Sequence, residues 1–370
     1  MTATDHARHD VARNRGDGSL IRLADAVLQP GFVGTTPPDW IRRRLSEGLG
    51  GVVLFGRNIV DVEQVAALSA GLAEENPDVI IAIDEESGDV TRLEVTSGSR
   101  RPGNCALGFV DDPALTQAVA ADIGAQLAAA GVTLNYAPTV DVNNNPANPV
   151  IGVRSFGADP KLVSRHAAAW VRGLQSVGVG ACAKHFPGHG DTGVDSHHGL
   201  PVIEAEPSRL DDVELHPFGA AIEAGARAIM TAHILVPAID GEHPATMSRA
   251  VLVDLLRRRM GFTGMVVTDG IEMASVARRY GLARAAVLAL AAGADAICVG
   301  GETATEEVAV LLRDAIVDAV VAGTLPEERL AAAAARVAEF AAWSRSLRRV
   351  RLASTQTPGI GLTAARRALR

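Results

Sequence analysis

Between positions 184 and 197 the chain reads Lys-His-Phe-Pro-Gly-His-Gly-Asp-Thr-Gly-Val-Asp-Ser-His, six ionisable side chains and three glycines directly after the apolar run Val177–Ala183. A plain connecting loop has no use for so many titratable groups; a site built on a loop does. Asp195 and His197 stand two apart. A carboxylate hydrogen-bonded to an imidazole fixes its tautomer and raises its basicity, which makes a proton donor and acceptor near neutral pH. A solvated loop is the competing explanation for so short a pattern. His185, His189, His197 and His198 with Asp191 and Asp195 are also zinc-ligand types, but Pro187 and two glycines rule out the helical spacing of a His-x-x-x-His site. Gly188-x-Gly190-x-x-Gly193 has the form of a dinucleotide fingerprint, yet Asp-Ser-His-His-Gly-Leu-Pro follows it instead of an apolar helix, so that reading is set aside.

Three further segments carry candidate chemistry. Asp269 ends the apolar run Met265–Thr268; a strand end holds a carboxylate rigidly, as a nucleophile requires, although a helix N-cap uses the same residue. Asp84-Glu85-Glu86-Ser87-Gly88-Asp89-Val90-Thr91-Arg92 offers carboxylates, whose multiple acceptor sites suit sugar hydroxyls, or else forms an acidic surface loop. Asn143–Pro149 followed by Arg154 reads as a tight turn presenting one arginine, for a ligand or for a structural ion pair.

The elements that position these residues alternate. Short β-branched runs at 51–55, 79–83, 133–137, 179–184, 226–232, 264–268 and 294–299, with a weaker one at 31–33, are interleaved with helical patterns at 39–48, 61–76, 113–130, 160–177, 208–224, 249–260 and 282–292. A final helix pair follows at 304–322 and 326–345. Uniformly apolar strands are those of a parallel sheet covered on both faces. Eight βα units predict an α/β fold of the (β/α)8 TIM-barrel kind, with an open doubly wound sheet as the alternative. Asp84, Glu85, Asp141, Lys184, His185, His233 and Asp269 all fall at or just past strand ends, where a barrel gathers its active site; this convergence favours the barrel.

The 370 residues carry a net charge of −8 with 48% hydrophobic and 21% charged residues. This balance argues against nucleic acid or an anionic membrane as a main partner. Cys105, Cys182 and Cys298 are odd in number and widely spaced, so a disulfide framework is not expected and a cytoplasmic location fits. Residues 1–18 are polar and read as a disordered arm without a secretory signal.

Together, the segments 51–58, 83–93, 135–157, 184–201, 231–234 and 266–273 resemble glycoside hydrolase family 3, in particular its single-domain bacterial β-N-acetylglucosaminidases. The likeness runs from about Leu20 to about Ala342, and the Lys184–Pro201 run is its most specific part. The resemblance implies one catalytic barrel over 19–348, followed by a tail, 349–370, similar to the linker that begins a second domain in larger members. It implies Asp269 as the nucleophile, His197 paired with Asp195 as the acid/base, and Asp84, Arg92, Arg154, Lys184, His185 and His233 as sugar-binding residues. The implied activity is a retaining exo-β-N-acetylglucosaminidase acting on cell-wall muropeptides or chitooligosaccharides through a covalent glycosyl–enzyme. A phosphorylase on the same scaffold and a catalytically weakened sugar-binding barrel are the alternatives. The expected partner is a small GlcNAc-containing glycoside, with no cofactor, no metal, no nucleic acid and no membrane, and with a monomer or weak dimer as the assembly. Where the family usually reads Asp-Gln-Glu-Gly-Gly-Arg-Val, this chain has Glu85, Ser87 and Asp89. Ser87 is expected to be strained if its position needs positive φ, and Asp89 to remove any contact made by an arginine there.

Overall fold

The computed structural model describes residues 18–195 and 199–370. Eight short parallel strands follow one another in chain order: β1 Leu28–Pro30, β2 Gly51–Leu54, β3 Ile80–Ile83, β4 Leu134–Asn135, β5 Gly180–Phe186, β6 Ala228–Thr231, β7 Met265–Thr268 and β8 Ile297–Val299. Every strand residue is buried, so the apolar runs are explained by packing on both faces. One face points inward, where Val53, Tyr136, Cys182, Met230, Val267 and Cys298 belong to one apolar cluster; the other meets the surrounding helices.

β2 to β7 form an unbroken parallel ladder, and β8 pairs with β1. β7 and β8 are joined by the Val267–Ala296 bridge and by Thr268 N–H donating to Ala296 O at 3.0 Å. Between β1 and β2, among the described residues, the junction is reduced to Gly50 N–H donating to Asp25 O at 3.2 Å, ahead of both strands. The sheet is thus a curled, TIM-like (β/α) fold whose ladder is interrupted on both sides of the β1–β8 pair, at β7–β8, where a single bridge remains, and at β1–β2.

The first strand lies at Leu28–Pro30 instead of 31–33. Its register with β8 ends where Gly31 N–H reaches Val299 O at 2.7 Å, and Val33 is then exposed. The expected helix 208–224 is broken into Pro207–Arg209, a wide turn Leu210–Glu214 and His216–Glu223. Pro217 has no N–H to give to the preceding turn, and Leu215 N–H instead reaches back five residues to Leu210 O at 2.9 Å. Gly18, read as part of the polar arm, opens a helix to Ala26. Helices also occur at Asn104–Val110 and Ala274–Tyr280, which the sequence pattern did not announce. The tail forms helices Arg348–Ala353 and Ile360–Ala368 that pack back on the barrel, with Ala364 fully buried and Arg367 paired to Asp112 at 2.6 Å. No helix of the described residues is long and apolar enough to cross a membrane.

At the end of the barrel opposite the strands' C-termini, Asp295 is fully buried and takes Arg257, Arg329 at 2.9 Å, Arg336 at 3.3 Å and Val266 N–H at 2.9 Å. Removing one partner of a buried ion pair strands the remaining charge. Asp295→Ala is therefore expected to cost about 3–5 kcal/mol in urea unfolding while leaving KM unchanged, since the residue is remote from the strand ends that carry the cleft.

Candidate active site

A cleft of about 850 Å³ opens at the C-terminal ends of the strands. Its floor is made by inward-facing barrel residues, Tyr136, Met230 and Cys298, and Asp84, Glu86, Arg92, Arg154, Lys184, His185, His189, Asp269 and Glu272 line it. Asp269 directly follows β7; its N–H continues the ladder to Thr231 O at 3.2 Å, and its carboxylate accepts Gly270 N–H at 2.8 Å. Burial opposes its ionisation, but His185, His233, the Gly270 amide and Lys184 outweigh burial and hold its pKa below the ordinary range. A fixed, ionised carboxylate at the bottom of a cleft is what nucleophilic attack requires.

Lys184 and His185 lie on β5, whose Lys184–His185 and Phe186–Pro187 peptide bonds are both cis. The buried Lys184 ammonium touches Asp84 at 2.6 Å and Glu86 at 2.6 Å. Glu86 is the hub: it takes Lys184, both arms of the Arg154 fork at 2.7 and 3.0 Å, and the Thr139 hydroxyl at 3.0 Å. Burial works against its charge, yet Arg154 and Lys184 prevail and push its pKa far below the usual glutamate value. Lys184 and Arg154 are correspondingly raised against the pull of desolvation.

The sign of the linkage follows. A carboxylate whose pKa is depressed by folding contributes stability above the unfolded value, about 4.3 for Glu, and loses it as pH falls through the folded value. Glu86 and Asp269 both act in this direction. The wild type is therefore expected to lose stability steadily below about pH 4, and Glu86→Gln to flatten that acid limb in denaturant titrations across pH.

Asp141, fully buried, accepts His185 Nδ1–H at 2.8 Å, His185 N–H at 3.2 Å and His189 N–H at 2.6 Å. With Nδ1 engaged by Asp141, His185 Nε2 lies 3.4 Å from Arg154 Nη2. The loop after β5 is anchored as far as Thr192: Asn148 Nδ2 donates to His189 O at 2.8 Å and Gly190 O at 3.0 Å, and Asn145 Nδ2 to Thr192 O at 3.3 Å. A β-carbon on Gly190 would sit 1.8 Å from Val142 O, so only glycine allows this close approach.

The structure brings together Asp84, Arg92, Arg154, Lys184, His185 and Asp269 on one cleft wall or another. Asp195 is half-buried on the following loop, where its carbonyl accepts Gly199 N–H at 3.0 Å; His197 lies outside the described residues. His233 has a different place from the one expected. It is fully buried, with Nδ1 at 2.9 Å from Thr246 Oγ1 and Nε2 at 3.0 Å from Gly270 O, so both ring nitrogens are engaged behind Asp269 instead of facing the cleft. Glu86, Asp141 and Glu272 were not singled out as site residues.

The altered 85–89 segment also resolves. Glu85 turns away from the cleft and accepts Arg92 N–H at 2.8 Å and Leu93 N–H at 3.0 Å, tying the loop together. Ser87 does adopt positive φ, 70°, the conformation that disfavours a β-carbon, and its hydroxyl donates to Pro102 O at 3.0 Å in partial compensation. Asp89 is exposed on the far side of the loop.

Residues 36–340 match the family model described as the Glycosyl hydrolase family 3 N terminal domain. The chain is 38% identical over 266 residues to a β-hexosaminidase of Chromobacterium violaceum, covering 70% of this chain and 74% of that protein. It is 36% identical over 282 residues to β-hexosaminidase A of Pseudoalteromonas piscicida, again 70% of this chain but 47% of the relative, so it spans about half of that protein's length. Among solved structures, a family 3 β-N-acetylglucosaminidase from a Paenibacillus superposes with TM-score 0.87 at 40% identity, over 94% of this chain and 68% of that one. NagZ of Neisseria gonorrhoeae, solved with N-trifluoroacetyl-D-glucosamine, gives TM-score 0.71 at 30% identity, over 85% and 97%.

Proposed function

The chain belongs to glycoside hydrolase family 3, and from that premise we propose that it is a retaining exo-β-N-acetylglucosaminidase. The observation that carries this reading is an ionised Asp269 at the end of β7, in a cleft whose Asp84, Arg154 and Lys184 are held by one buried ion network through Glu86. The naming of the relatives as β-hexosaminidases, and the N-acylglucosamine derivative bound to the Neisseria protein, support GlcNAc as the sugar released.

In this reading Asp269 attacks the anomeric carbon while the glycosidic C–O bond breaks, and His197, oriented by Asp195, gives its proton to the departing oxygen. The imidazole then takes a proton from water, the resulting hydroxide attacks the anomeric carbon, and Asp269 leaves. Asp84, Lys184 and Arg154 hold the sugar's hydroxyls and carry that orientation into the transition state. Natural substrates would be cell-wall muropeptides or chitooligosaccharides, met in the cytoplasm; three cysteines with no mutual pairing fit a reducing compartment.

The proton-donor role gives a direct test. An aryl leaving group of low pKa departs without a proton, whereas a sugar alkoxide does not. His197→Ala is expected to slow release from GlcNAc-β-1,4-anhydroMurNAc by about 10²–10⁴-fold and from 2,4-dinitrophenyl-GlcNAc by far less in the glycosylation step. Equal losses on both substrates would remove His197 from that role. The same digests, run with and without phosphate and analysed by mass spectrometry, separate free GlcNAc from GlcNAc-1-phosphate, the product of the phosphorylase alternative.

A further inference from the structure

Beside Asp269 lies a contact set that none of the chemistry above uses. Glu272 Oε1 accepts Gly300 N–H at 2.8 Å and also Gly301 N–H. The carbonyls of the same two residues point the other way, to Arg57: Nη1 donates to Gly301 O at 2.6 Å and Nη2 to Gly300 O, while Nε donates to Phe32 O at 3.0 Å. The Arg57 guanidinium also stacks on Phe55, 4.6 Å from the ring centre, and Phe55 lines the cleft. The Gly300–Gly301 strip is therefore gripped from both edges, by the segment that carries Asp269 and by the segment that follows β2.

The position of this grip is informative. It spans the tops of the two junctions without a strand ladder, β7–β8 through Glu272 and β1–β2 through Arg57, and both contacts run through the β8 end. Gly300 has φ +117°, and a β-carbon on it would fall 2.4 Å from Gly31 N, so the β1 and β8 ends approach more closely than any side chain permits. Elsewhere in the barrel, strand pairing fixes each catalytic strand end against its neighbours. At these two junctions Glu272 ties the β7 end to the β8 end, and Arg57 ties the β8 end to the segment after β2, beside Asn58, whose Nδ2 donates to Phe32 O at 2.9 Å and Gly34 O at 2.8 Å.

We infer, resting on the reading of Asp269 as nucleophile, that Arg57 and Glu272 are positioning residues that clamp the β7 end so that the Asp269 carboxylate stays aligned with the anomeric carbon. Glu272 lines the cleft and so has access to sugar, whereas Arg57 sits behind the cleft-lining Phe55, its guanidinium engaged by Phe32 O, Gly300 O and Gly301 O; a measurement of GlcNAc affinity separates a positional defect from a lost sugar contact. Arg57→Lys keeps the charge but gives up the fork that spans two carbonyls. Glu272→Gln keeps an acceptor oxygen for the two amides.

The test is the rate at which a 5-fluoro GlcNAc glycosyl fluoride labels Asp269, followed by peptide mass spectrometry, with GlcNAc affinity measured by calorimetry on the same samples. Glu272→Ala is expected to slow labelling about 100-fold and Arg57→Lys about 10-fold, because small displacements of a nucleophile carry losses of this size. GlcNAc affinity should change by less than about threefold, and Glu272→Gln should restore labelling to within about threefold of wild type. The Arg57→Lys/Glu272→Ala double variant should be no slower than Glu272→Ala alone, because the two residues act through one strip. Should Glu272→Ala fail to fold, Arg57→Lys with Glu272→Gln carries the comparison. A wild type labelled at another residue overturns the nucleophile reading itself. A wild type labelled at Asp269, with the folded variants labelled equally fast or losing GlcNAc affinity instead, overturns the clamp alone.

Discussion

Asp269→Ala is expected to lower kcat by on the order of 10⁴-fold or more, the scale on which enzymes lose rate when a nucleophile is removed. The expectation rests on three features together. Asp269 is fixed by its place at the end of β7, its charge is favoured by His185, His233 and Lys184 despite burial, and its carboxylate faces a cleft large enough for a sugar. KM for GlcNAc glycosides should change little, since Asp84, Arg154 and Lys184 remain to bind hydroxyls. Azide should partly restore turnover, because a small anion can occupy the space vacated by the carboxylate and attack from the same face, giving an α-glycosyl azide. Turnover within tenfold of wild type would require a different nucleophile or none.

The second large effect is expected at Glu86. Its carboxylate is 2% exposed and is the common partner of Lys184, Arg154 and Thr139. Glu86→Ala leaves the buried Lys184 ammonium with only Asp84 as a close counter-charge and the half-buried Arg154 without its carboxylate partner, and losing one member of such a group costs about 3–5 kcal/mol. Both cations are also proposed to bind the substrate, so kcat/KM should fall by about 10²-fold or more as they lose their orientation. Glu86→Gln keeps the shape and one acceptor and should fall between wild type and Ala in both respects. Urea unfolding and kcat/KM on the same preparations check the pair of effects. A Glu86→Ala protein of wild-type stability would mean that Arg154 and Lys184 find other partners.

Much of this was legible in the chain. The apolar runs located seven strands to within a few residues, because a strand buried on both faces has no polar positions to blur its edges. The acids and bases at the ends of those runs located the cleft. What escaped has physical reasons. Three adjacent acids, Asp84, Glu85 and Glu86, look alike in sequence, yet the extended backbone sends the first and third to Lys184 and the second back to the Arg92 and Leu93 amides. The period-two alternation of a strand, carried three residues past β3, was the available signal. His233 lies two residues past β6 and His185 one residue before the end of β5, and only the positions of Thr246 and Gly270 make His233 a buried support. The break at Pro217 was readable from the missing N–H. The contact between Arg57 and the Gly300–Gly301 strip joins opposite ends of the chain, and no local pattern announces it.

The central claim is double displacement at Asp269, and the stereochemistry of the first-formed product tests it most directly. Early-time NMR of GlcNAc-β-1,4-anhydroMurNAc hydrolysis, read before mutarotation, should show β-GlcNAc appearing first, since two inversions restore the starting configuration. α-GlcNAc appearing first would mean a single displacement by water and would contradict the covalent role assigned to Asp269.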